Sequence, residues 1–124
     1  MLKPVELFMK QLECEKESCL KEAVMLARDN RHDESVMVKV RANVFDIFIA
    51  VSQTAGKQFP QTDIAVQFIN DRVNDIPDVW RKSLILAEAN GDYVKAENER
   101  IKLEAMDEIK SIFQSIIKEA VDND

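Results

Sequence analysis

The chain has very little that would interrupt a helix, with 2 glycines and 3 prolines among 124 residues. Both glycines fall where a helical apolar stripe runs out, Gly56 after Val44 to Val51 and Gly91 after Leu84 to Ala89. Glycine enters the left-handed backbone region without steric cost, so each stands where a helix cap is needed. The two lie 35 positions apart, which excludes a glycine-rich loop that cradles phosphate.

Other scarcities narrow the chemistry further. Histidine occurs once, as His32, in a predicted turn with Asp33 and Glu34 beside it. A carboxylate-bridged di-metal site in a helical bundle needs a Glu-x-x-His pair on each of two helices. Zinc wants about four ligands. No metal and no other cofactor is therefore expected. Cys14 and Cys19 are the only cysteines and sit five apart on one predicted helix. Their Cα atoms would be roughly 8 Å apart, too far for a disulfide, so both read as small buried hydrophobes. His32 lies beyond the end of that helix, out of reach as a base for either thiol. No catalytic residue is assigned, and the chain is expected not to be an enzyme.

Long apolar runs are also missing. No unbroken run exceeds five residues, Ile47 to Val51 being one of that length, against the ~20 that span a bilayer. Lys3, Glu6, Lys10 and Glu13 break the N-terminal stretch too early for the apolar core of a secretory signal, which predicts a cytoplasmic protein with no membrane partner. The net charge of -6 repels polyphosphates, so no nucleic-acid partner is expected. Lys39 with Arg41, or Arg81 with Lys82, are too few to reverse that field.

What is present is an even mixture of 46% apolar and 32% charged residues, the composition of a globular protein. One domain, residues 1–124, accounts for the length and should bury roughly two-thirds of its unfolded surface. A first helix from about Pro4 to Arg28 carries Val5, Phe8, Leu12, Cys19, Ala23 and Leu26 at helical spacing. Asp29 to Asp33 makes a turn, and Asp33 is placed to cap the second helix. That helix, about Glu34 to Ala55, shows Met37, Val40, Val44, Phe48 and Val51 on one face, with Val36, Phe45, Ile47 and Ile49 beside it, and should be the most buried.

The third helix, about Thr62 to Ala89, repeats Val66, Ile69, Val73, Ile76, Trp80, Ser83 and Ala87 at alternating three and four spacings. The repeat holds its phase across Pro77, which predicts one helix kinked near Pro77 in preference to two. The fourth helix, from Asp92 or Tyr93 to about Val121, reads Val94, Ile101, Ala105, Ile109, Ile112, Ile116 and Ala120, supported by Met106, Phe113 and Ile117. Rods of roughly 38, 33, 42 and 45 Å joined by short turns predict an all-α fold, an antiparallel up-down-up-down four-helix bundle. Asn90, Gly91, Asp92, Tyr93 and Ala96 resemble the turn of a tetratricopeptide hairpin, but arrays of that kind need about three stacked units and the chain offers one, so no peptide-binding role is carried over.

Four residues stand out as contact sites for a partner or ligand. Asp46 interrupts the apolar run of the second helix, where it is either a buried, proton-active carboxylate or part of a polar strip with Lys39 and Gln53. Glu15 fills a gap in the first apolar stripe, either aimed at the seam or a partner, or ion-paired with a lysine at the surface. Trp80 is core by its spacing, yet with Arg81 it supplies the residue pair most enriched at interface centres.

The expected function is a non-enzymatic helical interaction module, self-associating as a homodimer or serving another protein as adaptor or regulator. The alternative is a bundle enclosing a small apolar ligand, or an enzyme working through a buried carboxylate at Asp46 or Glu15. A third class, an acidic protein that neutralises a basic partner, requires Glu13, Glu17, Glu97, Glu99, Glu104 and Asp107 to form one surface.

Overall fold

The computed structural model describes residues 3 to 122 and contains four helices, with no strand among the described residues. They are α1 (Lys3–Arg28), α2 (His32–Gln58), α3 (Thr62–Ala89) and α4 (Tyr93–Asp122). Their apolar faces share one core in which Phe8, Phe45, Phe48, Leu12, Ile69 and Ile109 are fully enclosed. Phe8 of α1 and Phe113 of α4 meet edge to face at 5.1 Å between ring centroids, the favoured geometry for two ring quadrupoles. No helix of the described residues is long and apolar enough to cross a membrane.

The helix ends follow from local chemistry, in one case not the chemistry the sequence suggests. At the α3–α4 turn Gly91 takes φ +69°, the Asp92 N–H donates to Ala87 O at 2.9 Å, and the Gly91 N–H donates to Glu88 O at 3.2 Å. That pair of bonds is a Schellman closure. The α1–α2 turn repeats it with Asn30 at φ 61°, the Arg31 N–H donating to Leu26 O at 2.9 Å and the Asn30 N–H to Ala27 O at 3.1 Å. Gly56, by contrast, does not cap. α2 runs through it to Gln58, because the stop signal is Pro60, which pushes Phe59 into extended backbone at φ -123°, ψ 108°. His32 is the first residue of α2 and Asp33 lies inside its first turn, so neither belongs to a loop and Asp33 is not the cap. Asp92 does cap α4, accepting from the Lys95 N–H at 3.2 Å. α3 continues unbroken through Pro77, whose ring is buried.

α1 buries Val5, Phe8, Leu12, Cys19, Ala23 and Leu26, the stripe its spacing predicts. Cys14 is exposed, correcting its reading as a buried hydrophobe. α2 buries more residues than α1 or α3, but it is rotated from the expected face. It buries Ser35, Ala42, Val44, Phe45, Phe48, Ile49, Ser52 and Ala55, and leaves Val36, Met37 and Ile47 exposed. Close packing explains the rotation. α1 and α2 form the most intimate pair of the helices, and small buried residues, Cys19 and Ala23 on α1 and Ser35 and Ala42 on α2, let the backbones approach, with Ser35 meeting Ala23 directly. The hydroxyls survive burial because Ser35 donates to Ala23 O at 2.7 Å and Ser52 to Phe48 O at 2.8 Å.

α4 is rotated as well. Its buried set includes Ala96, Glu99, Ala105, Met106, Ile109 and Phe113, whereas Val94 is exposed. α4 also meets α2 more extensively than α3 does, so the contact of these two helices shapes the middle of the molecule.

A Cβ at Gly91 would meet nothing within 4 Å, which leaves backbone conformation as the only demand on that position. Gly91→Ala should therefore cost about 1 kcal/mol in urea unfolding and Gly91→Asn distinctly less. Equal losses in the two variants would show that the left-handed turn is not what the glycine supplies.

Candidate functional site

The α4 seam explains where a site can form. Asp92, Lys95, Glu99, Lys102, Met106, Ile109, Phe113 and Ile116 recur at alternating three and four spacings. From Met106 onward this seam is apolar and packed into the core. Before it, the same phase carries four charged residues. A charged seam cannot pack directly on Val40, Val44 and Ile47 of α2 without losing its hydration, and a groove opens between the two helices there. Its cavity measures about 490 Å³. Val40, Asn43, Val44 and Ile47 form one wall, the four charged seam residues with Val94 and Asn98 form the other, and Trp80 reaches in from α3.

Glu99 is the unusual group. Its residue is only 5% exposed. One carboxylate oxygen, Oε1, accepts from Lys102 Nζ at 3.1 Å, and the other, Oε2, is buried with no partner among the described residues. The Lys102 ammonium also lies 5.8 Å from the centre of the Trp80 ring, so it joins the acid to the indole. A buried acceptor left half-satisfied is costly, and such atoms in native proteins call for an explanation. The arrangement offers an acceptor to an incoming donor, set between aliphatic walls and an indole face. No cysteine, serine, threonine or histidine lines it. Burial pushes the Cys19 thiol above its ordinary range, keeping it protonated, and Cys14 does not line the groove. Among the described residues no group of three or more His, Cys, Asp or Glu side chains could hold a metal ion.

Of the four residues singled out from sequence, only Trp80 lies at this groove, half-buried and packed against the core. Arg81 is exposed, pairs with Asp78 at 2.6 Å, and borders a separate cleft with Pro77 and Asp107. Glu15 is half-buried on α1 and accepts from Gln11 Nε2 at 3.3 Å. Asp46 is exposed and ion-paired with Lys16 at 2.7 Å, on the same polar strip as the exposed Lys39 and Gln53. The structure does not bring these four together. Glu99 is withdrawn into the groove, so the six acids considered for one acidic surface do not form it.

Sequence reasoning missed Glu99, Lys95 and Lys102, although the signal was there. Reading the heptad backward from Phe113, Ile109 and Met106 lands on each of them in turn.

Glu99→Met should leave the stability of the isolated protomer unchanged within about 1 kcal/mol or raise it, because a half-satisfied buried ion pair contributes little to folding. A loss of about 3 kcal/mol in chemical denaturation would make Glu99 a folding element instead. Comparison of the chain with protein-family models, with curated proteins and with solved structures finds no significant match, so the groove's chemistry stands on its own residues.

Proposed function

We propose that this chain is a non-enzymatic, cytoplasmic interaction module, an antiparallel up-down-up-down bundle with α3 bent at Pro77, that works by self-association as a homodimer. The observation that carries the reading is uncovered apolar surface at the mouth of the groove. Val94 is 76% exposed and Ile47 of α2 is also in solvent, both lining the groove, and Tyr93 next to Val94 in the chain is 80% exposed. Apolar side chains gathered beside a recess are what a soluble protein reserves for a partner. The net charge of -6 supports a protein partner over nucleic acid. If the partner is a different chain, the same surface serves an adaptor or regulator.

A second reading has one observation in its favour. A cavity of about 490 Å³ beside a buried carboxylate is within the usual size of a small-ligand site. A small ligand would leave Tyr93 and most of Val94 uncovered, and for that reason the macromolecular reading is preferred.

Light scattering on the pure protein tests the proposal. The expected result is a mass twice the 14.2 kDa of one chain at micromolar concentration, falling on dilution. A strict monomer throughout would defeat the homodimer reading.

A further inference from the structure

We propose that the self-association surface is a two-fold, antiparallel pairing of the first three turns of α4 across the groove, with the axis passing level with Glu97. The inference rests on the self-association reading and adds its geometry. The four seam charges run Asp92, Lys95, Glu99, Lys102, and all four line the groove. In an antiparallel pair of helices, positions whose numbers share a constant sum stand opposite one another. A sum of 194 sets Asp92 against the partner's Lys102 and Lys95 against the partner's Glu99. Two-fold symmetry then repeats both pairs. The layers are of the a–d type that antiparallel coiled coils use, and no charge is left against its own sign.

Other registers fail on the same residues. A parallel pairing in register places Asp92, Lys95, Glu99 and Lys102 each against its own copy, which is repulsive at every layer. Sliding the antiparallel pair one heptad toward the C-terminus sets Asp92 against the partner's Ile109 and Lys95 against the partner's Met106, which leaves both charges facing apolar side chains. Sliding it the other way leaves Glu99 and Lys102 opposite positions that precede α4. The favoured register leaves each of the four groove-lining charges opposite its own complement. It brings an ammonium, from the partner's Lys95, to the carboxylate whose Oε2 has no partner within the protomer. A closed, self-complementary patch of this kind yields a dimer and no larger assembly.

Spin labels attached to Glu104→Cys and, separately, to Lys118→Cys in a Cys14→Ser chain test the register. Both positions are exposed and off the charged seam, and the remaining Cys19 is buried. With an axis level with position 97, equivalent residues separate along α4 by about 3 Å for each position away from it, giving axial offsets of about 21 Å at 104 and about 63 Å at 118. The expected result is an intermolecular distance longer at 118 than at 104 by more than about 30 Å. Lys95→Glu, which sets one carboxylate against another at the partner's Glu99, should raise the dimer dissociation constant about tenfold or more. Its helicity, and its thermal unfolding at a dilution where both proteins are monomeric, should be unchanged, since Lys95 is exposed and an acid suits the first turn of a helix. A dimer with the two distances equal or reversed, or one indifferent to Lys95→Glu, overturns the register while leaving self-association standing. A monomer at every concentration overturns both.

Discussion

The seam along α4 changes chemistry between Lys102 and Met106, and the rest of the molecule is arranged around that change. Below it, Met106, Ile109 and Phe113 are buried, and Phe113 locks α4 to Phe8 of α1. Above it, Asp92, Lys95, Glu99 and Lys102 occupy the same phase, and all but Glu99 keep contact with solvent beside the aliphatic wall. α4 is therefore closely packed along its C-terminal half and borders a groove along its N-terminal half. The ion pairs differ on the two sides of the transition. Arg41 of α2 bonds Glu108 of α4 beside the packed half, while Lys102 in the open half turns to Glu99 and Trp80.

How far the sequence discloses this differs from helix to helix. The buried stripe of α1 is legible because Val5, Phe8, Leu12, Cys19, Ala23 and Leu26 keep one helical phase, although the larger Leu20, Val24 and Met25 off that phase are exposed. α2 misleads because it is apolar around much of its circumference, and the contact with α1 was decided by the smallest side chains, Ser35 and Ala42, instead of by Met37 or Ile47. Gly91 and Gly56 look alike in sequence. They differ because Gly91 is followed by Asp92, which caps α4, whereas Gly56 is followed within four positions by Pro60, which sets the stop itself. The candidate site was hidden for a related reason. A search for apolar recurrence passes over Glu99, and only the phase set by Met106, Ile109 and Phe113 reveals that an acid stands in a core position.

Retaining a half-satisfied carboxylate in such a position has a folding cost, and a chain selected for stability alone would carry an aliphatic residue there. The proposed dimer gives that cost a use. Charge alternation along the groove specifies direction and register, tasks for which apolar contact is poorly suited because it is non-directional. Val94 and Ile47, which line the groove, would then supply apolar area that holds the copies together. The association is expected to be weak and salt-sensitive, since its charged layers sit close to solvent and are screened over about 8 Å at physiological ionic strength.

The chain contains a single tryptophan, Trp80, and it stands in the groove. Its fluorescence, followed as the protein is diluted and as salt is added, tests the central claim most directly. The account predicts emission that is blue-shifted and shielded from a soluble quencher in the concentrated, low-salt protein. On dilution or with salt it should move to the red and become quenchable in step with the loss of dimer mass. Emission that stays constant while the mass halves would place the interface elsewhere and contradict the account.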